Sequence, residues 1–135
     1  VCVEVPAIIE RLPVSRATDD PRIRAGFVMA PFAIFFDAAT LARVDAPVFL
    51  YGAMADRVLL PAYNVLPVRD ALPRLHTFRG ITGAGHYVFL APCNAGMSKT
   101  LPVLCVDPPG IDRGALHSQI NADAVGFFRE TLAPR

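Results

Sequence analysis

The sequence predicts an α/β domain, and three observations predict it. Residues 23–30 and 47–51 read as strands, and in the second Val48, Phe49, Leu50 and Tyr51 are continuously apolar where a half-exposed strand would alternate, the pattern of parallel strands covered on both faces. Segments with helical spacing separate these runs. The hydrophobic share of 53% and mean hydropathy of +0.41 exceed the roughly 45–50% apolar content ordinary for soluble domains, which also favours strands buried on both sides.

Residues 1–13 place Val5, Ile8, Ile9 and Leu12 at the spacing of a short helix, with Pro6 tolerable only near its first turn. Residues 15–21 are polar and end on the turn signal Asp19-Asp20-Pro21. Residues 23–30 form the first strand, closed by Pro31, and residues 32–36 an apolar loop. Asp37 is placed to cap a short helix through Ala38, Ala39, Leu41 and Ala42. Residues 47–51 form the second strand, which Gly52 is expected to break.

Pro61 suits a first helical turn, and residues 62–72 have helical spacing that Pro67 should kink or interrupt. Residues 75–78 read as a third, weaker strand. Residues 94–100 are polar and read as loop, as does the stretch holding Pro108-Pro109-Gly110. The last element is the clearest helix, with Leu116, Ile120, Ala124, Phe127, Phe128 and Leu132 on one face and Asp112 near its start. It should pack against the sheet.

At 135 residues the chain has room for one modest domain of the usual ~100–200 residues. Thirteen basic against twelve acidic residues give a net charge of +1, and no basic stripe suits phosphates, so a nucleic-acid partner is not expected. No apolar stretch approaches the roughly 18 residues of a membrane span. The chain begins at Val1 without the pattern of a signal peptide, and its start is expected to be cut from something longer.

Two segments carry chemistry. Asp56 lies just beyond the apolar run 46–51 and before Pro61, on a short βα loop of the kind where ligands meet open α/β sheets. His86 follows Gly83-Ala84-Gly85, small residues that admit a tight turn. Alone, such an aspartate reads as a helix cap and such a histidine as structural. Placed in this order after successive strands, they read as the acid and base of a Ser-His-Asp hydrolase, whose chain order is Ser, Asp, His.

Residues 22–132 resemble the C-terminal half of an α/β-hydrolase, most closely the dienelactone hydrolase-like group of bacterial serine esterases. The resemblance is carried by Asp20-Pro21-Arg22-Ile23-Arg24, Met29-Ala30-Pro31, Gly52-Ala53-Met54-Ala55-Asp56-Arg57-Val58-Leu59-Leu60-Pro61 and Gly83-Ala84-Gly85-His86. It continues through Phe89-Leu90-Ala91-Pro92-Cys93, Cys105-Val106-Asp107-Pro108-Pro109-Gly110-Ile111-Asp112-Arg113 and His117. It implies about three parallel strands with covering helices, Asp56 as triad acid, His86 as base, a small ester or lactone substrate, and no cofactor or metal. The partner it implies is the N-terminal half of the same domain.

The elbow that should hold the nucleophile is absent. No Gly-x-Ser-x-Gly occurs; Gly96-Met97-Ser98-Lys99-Thr100 follows His86 and lacks the second glycine, and Ser15 and Ser118 lack the motif as well. The nucleophile is expected upstream, and the isolated chain is expected to be inactive. The alternative is a non-catalytic binding module or a truncated remnant of the fold. Acyl transfer and cofactor-free haloperoxidase chemistry would share the same parent.

Cys93 and Cys105 can close a disulfide or remain buried thiols; the resemblance favours the bridge, and with it a periplasmic or extracellular protein. A zinc site from Cys93, Cys105, His86 and His117 lacks metal-ligand spacing. His76 reads as a surface or packed residue, and His117 as one that packs or braces the nearby loop. Phe35 and Phe36 are candidate acyl-pocket residues because their loop follows a strand end, with core or helix-cover packing as the other reading. Three parallel strands alone would leave an unpaired edge, so the fragment is expected to need a partner segment or to be poorly soluble.

Overall fold

The computed structural model describes residues 20–133; the helix expected over residues 1–13, Cys2 and Ser15 lie outside them. Three strands, β1 (Gly26–Met29), β2 (Val48–Ala53) and β3 (Leu75–Ile81), form one parallel sheet in the order β1-β2-β3. The class is therefore α/β. Pairing runs from Gly26 opposite Val48 to Met29 opposite Tyr51 on one side of β2, and from Val48 opposite Leu75 to Ala53 opposite Ile81 on the other, with an irregularity at Val48 and Phe49.

All six residues of β2 are buried, which explains why its sequence is apolar without alternation. Successive side chains still point to opposite faces. Leu50 packs with Ala33, Leu41, Val65 and Val68 on one face, under the one-turn helix α1 (Ala38–Leu41) and helix α2 (Val65–Ala71). Phe49 and Tyr51 pack with Ile120 and Phe127 on the other, under the long helix α5 (Arg113–Leu132). Aromatic stacking thickens that second layer, with Phe27 and Phe49 ring centres 4.9 Å apart and Phe49 and Tyr51 5.5 Å apart.

Both predicted caps form. The Asp37 carboxylate accepts from Thr40 N and the Asp112 carboxylate from Ala115 N, each bond satisfying an otherwise unpaired first-turn amide. Within α5, Ile120 and Phe127 are buried, while Phe128 and Leu132 sit at 36% and 40% exposure. Adjacent helical residues differ by about 100° around the axis, so Phe127 and Phe128 cannot share the centre of one stripe.

Several boundaries differ from the sequence reading. The first strand begins at Gly26 because Ile23 is held in a turn, its N–H donating to Asp20 O, and is 67% exposed. It ends at Met29 because Ala30 turns into the left-handed region at φ 45°. Gly52 does not break β2; the strand runs on through Gly52 and Ala53. Glycine serves close packing there, since a Cβ would lie 2.9 Å from both γ-methyls of the buried Val65.

The segment after Pro61 divides into a 3₁₀ turn (Pro61–Tyr63) and α2, with the break at Asn64. Pro67 causes no kink, because it is the third residue of α2 and its missing N–H would have no intrahelical acceptor. β3 extends to Ile81, three residues past the expected end, where Gly80 and Ile81 find partners on the extended β2. Residues 95–100 are helical where loop was expected across 94–100. Asn94 caps α3 (Ala95–Thr100) by accepting from Met97 N, and α4 (Pro102–Cys105) follows with proline at its start.

Sheet and α5 are locked by one carboxylate. Asp123 Oδ2 accepts from Tyr51 OH at 2.6 Å and lies 2.7 Å from Arg79 Nε, while Oδ1 accepts from Gln119 Nε2. Burial alone would raise the Asp123 pKa, but the hydrogen bonds from Tyr51 and Gln119 and the Arg79 guanidinium together hold it below the usual carboxylate range. Burial, then the bond to Asp123, pushes the Tyr51 phenol well above its ordinary value. Among the described residues, no helix is long and apolar enough to cross a membrane.

Two outcomes are expected. Gly52→Ala should destabilise the fold by about 1–3 kcal/mol through overpacking against Val65, read as a lower midpoint in urea denaturation. Asp123→Asn should cost about 1–3 kcal/mol at neutral pH. Because the folded pKa of Asp123 is depressed, its contribution is present above the unfolded carboxylate value of about 4 and is lost as pH falls through the folded value. The stability gap between wild type and Asp123→Asn should accordingly be full at pH 6 and shrink toward pH 3.

Candidate active site

Parallel strands deliver their exit loops to a single edge of the sheet, and here those loops are hydrogen-bonded to one another. Met54 N donates to Ile81 O at 3.0 Å and Ala55 N to Ala84 O at 2.9 Å, joining the loop after β2 to the loop after β3. Asp56 is on the first loop and His86 on the second. Asp56 N also closes a turn on Ala53 O at 3.2 Å, so the acid is positioned by backbone bonds within and between the loops.

The Asp56 side chain is 3% exposed. Its Oδ1 accepts from Val58 N and Leu59 N, both at 2.8 Å, and its Oδ2 accepts from His86 Nδ1 at 2.7 Å. A buried carboxylate needs such donors to offset its lost hydration. The two backbone amides also set its orientation, leaving Oδ2 directed at the imidazole.

His86 opens a 3₁₀ turn (His86–Phe89). Of the two glycines before it, only Gly83 takes a backbone angle that favours glycine, at φ 77°. Gly85 is extended, at φ −91° and ψ 174°, a conformation open to any residue. The turn is fixed from beneath: Ala84 and Val88 are fully buried with Ala53, and His117 Nε2 donates to Val88 O at 2.9 Å. His117 thus braces the loop of His86 from the first turns of α5.

A carboxylate only accepts, so His86 Nδ1 carries the hydrogen in this bond and Nε2 of the neutral ring is left with its lone pair. The His86 side chain is 24% exposed, and among the described residues Nε2 has no hydrogen-bond partner. The arrangement can take a proton at Nε2 from a hydroxyl or water and stabilise the resulting cation through Asp56. Neither Ser98 nor Ser118 is presented as a nucleophile; each hydroxyl donates one turn back inside its helix, to Asn94 O and Gly114 O.

Cys93 and Cys105 form a disulfide with Cα atoms 5.6 Å apart, so neither sulfur is available as a thiolate ligand and the four-residue zinc set is excluded. The bridge closes the α3 and α4 segment that follows the turn of His86. Arg113 anchors the same segment from α5, bonding Asp107 through Nε and Nη2 and donating from Nη2 to Leu104 O. Its Nη1 is buried and has no hydrogen-bond partner among the described residues. His76 lies on β3, stacked near Phe49 and 3.3 Å from Glu130.

Phe35 and Phe36 are each 52% exposed, so neither serves as core or helix cover. They lie on the loop after β1, at the same sheet edge as the dyad. Sequence reasoning missed Asn64, which is 8% exposed; its Oδ1 accepts from Ala33 N and its Nδ2 donates to Leu60 O, each at 3.1 Å. The available signal was one amide side chain in an apolar stretch, beside the proline turn where an interruption was already expected.

Comparison with family models, with curated proteins and with solved structures finds no match for this chain. The disulfide yields the local expectation. Its loop has a sequence separation of 12, and chain entropy predicts about 3 kcal/mol of stabilisation. Reduction with dithiothreitol should lower the unfolding free energy by about that amount, and a Cys93→Ser, Cys105→Ser variant should match the reduced protein.

Proposed function

We propose that Asp56 and His86 are the acid and base of a serine carboxylic ester hydrolase of the dienelactone hydrolase-like kind, with its nucleophile on a segment outside these 135 residues. The observation that carries the proposal is the 2.7 Å bond from His86 Nδ1 to a buried, doubly amide-held Asp56, which leaves Nε2 without a partner among the described residues. Chain order and the sheet support it, since the acid follows β2 and the base follows β3. β1 has one strand neighbour among the described residues, and a preceding parallel strand added there would bring its own exit turn to the same edge.

In this mechanism the serine Oγ attacks the ester carbonyl carbon while Nε2 takes its proton. The tetrahedral intermediate collapses, Nε2–H protonates the departing alkoxide, and an acyl-serine remains. Water then repeats the sequence and releases the acid. Asp56 keeps its charge throughout, holding the tautomer and stabilising the imidazolium. A small ester or lactone is the substrate, and the disulfide favours an exported protein.

A second reading, a non-catalytic module built on the hydrolase sheet, is favoured by one observation: the hydroxyls of Ser98 and Ser118 are bound within their own helices. One experiment separates the two. The 135-residue chain and the same chain joined to its natural upstream coding sequence are assayed with p-nitrophenyl acetate. The short chain should show no saturable turnover. The extended protein should hydrolyse the ester, and Asp56→Asn or His86→Ala should lower kcat by on the order of 10³-fold or more. An inactive extended protein would leave the non-catalytic module, and an active one indifferent to His86→Ala would reject the proposed role of the dyad.

A further inference from the structure

The two partners in the bond between Asp56 and His86 are held very differently. Asp56 has two backbone amides on Oδ1, whereas the His86 ring has, among the described residues, only the carboxylate as hydrogen-bond partner and lies edge-on to Tyr87 at 5.3 Å. The place of the imidazole is therefore set by its backbone. That backbone is a single 3₁₀ turn, closed by Val88 N on Gly85 O at 3.3 Å and Leu90 N on Tyr87 O at 3.0 Å. Hydrogen bonds in such turns have poor geometry, so the turn depends on what fastens it.

On one side of His86, Ala84 O accepts from Ala55 N at 2.9 Å; on the other, Val88 O accepts from His117 Nε2, also at 2.9 Å. Val88 is fully buried, and among the described residues His117 is the one donor to its carbonyl. Without that donor the carbonyl either stays buried and unpaired, which is costly, or the turn shifts to reach water. A shift carries His86, two residues away, off Asp56. His117 is itself firmly seated: Leu116 beside it packs against the clusters of Phe49 and of Val88, and Asp123 further along α5 bonds Tyr51. The disulfide is the other restraint nearby, and it is poorly placed for this task. Ala91 and Pro92, between the turn and Cys93, are exposed, and residues 91–93 make no backbone hydrogen bond among the described residues. Soft backbone angles there absorb movement of the bridged segment.

We propose that His117 is the positioning residue of the base: its bond to Val88 O, and not the Cys93 to Cys105 bridge, keeps His86 at hydrogen-bond distance from Asp56. A carbonyl only accepts, so His117 Nε2 carries the hydrogen in this bond. The role concerns the geometry of the dyad, and it rests on the hydrolase reading only where a rate is measured. It also divides the labour of the C-terminal segment. His117 serves the base, while the bridge and Arg113 serve α3, α4 and the stretch to Asp107.

The test follows the His86 Nδ1 proton by NMR in the 135-residue chain, where no nucleophile is required. A proton bound to a carboxylate in this way resonates far downfield, is assigned by its absence from His86→Ala, and exchanges with water at a rate that reports how well the bond is held. His117→Gln keeps an N–H near the Nε2 position and should leave that rate as in the wild type. His117→Met, of similar shape but without a donor, should raise it at least ~10-fold while the amides of β2 and α5 keep their shifts. Reduction with dithiothreitol should leave it unchanged. In the extended protein His117→Met should lower kcat by about 10–100-fold with KM held, and His117→Gln should recover most of the loss. Wild-type exchange or an unchanged kcat in the Met variant, equal acceleration in the Gln variant, or acceleration by dithiothreitol matching the Met variant would each overturn the inference. So would loss of the β2 and α5 shifts in the Met variant, which would give His117 a general structural role. Absence of the downfield proton from the wild type would overturn the dyad and this inference together. The expected exchange pattern beside an inactive extended protein would retain His117 as the positioning residue and reject the hydrolase.

Discussion

β2 is the constraint on which the rest depends. A strand buried along its whole length must be paired on both edges and covered on both faces, since any exposed side would leave apolar surface in water and backbone groups unpaired. β1 and β3 supply the edges, α2 and its neighbours cover Leu50, and α5 covers Phe49 and Tyr51. The close approach at Gly52 and the Tyr51 to Asp123 bond are consequences of packing helices directly onto that strand.

The same strand organises the candidate site. Parallel pairing on both sides sends three loops to one edge, and the backbone bonds from Met54 and Ala55 to the loop after β3 set the acid beside the base. Polar groups buried near this edge are few, and each has a specific task. Asp56 orients His86, Asn64 joins two loops, and His117 supports the turn from which the imidazole projects. These bonds lie in places sheltered from water, where a lost partner is costly, so they fix how the loops sit against one another at this edge.

Much of the fold was legible in the chain because its causes are local. The continuous apolar run of β2, the caps at Asp37 and Asp112, the proline opening the turn at Pro61, and the left-handed glycine at Gly83 all follow from residue type and nearest neighbours. The errors share one origin. Gly52 looked like a strand end and residues 94–100 like a loop because composition was read without knowing what would pack or cap there.

By itself the sequence determined the α/β class and the order of Asp56 before His86 after successive strands. Only the tertiary structure decided that Asp56 and His86, 30 residues apart, share a hydrogen bond; that His117 reaches Val88 across 29; and that Asp123 meets Tyr51 across 72. Local propensity acts over a few residues, whereas these contacts depend on which loops the parallel register brings to one edge and which helix closes over the central strand. That geometry turns an aspartate and a histidine that are individually unremarkable into an oriented, hydrogen-bonded pair.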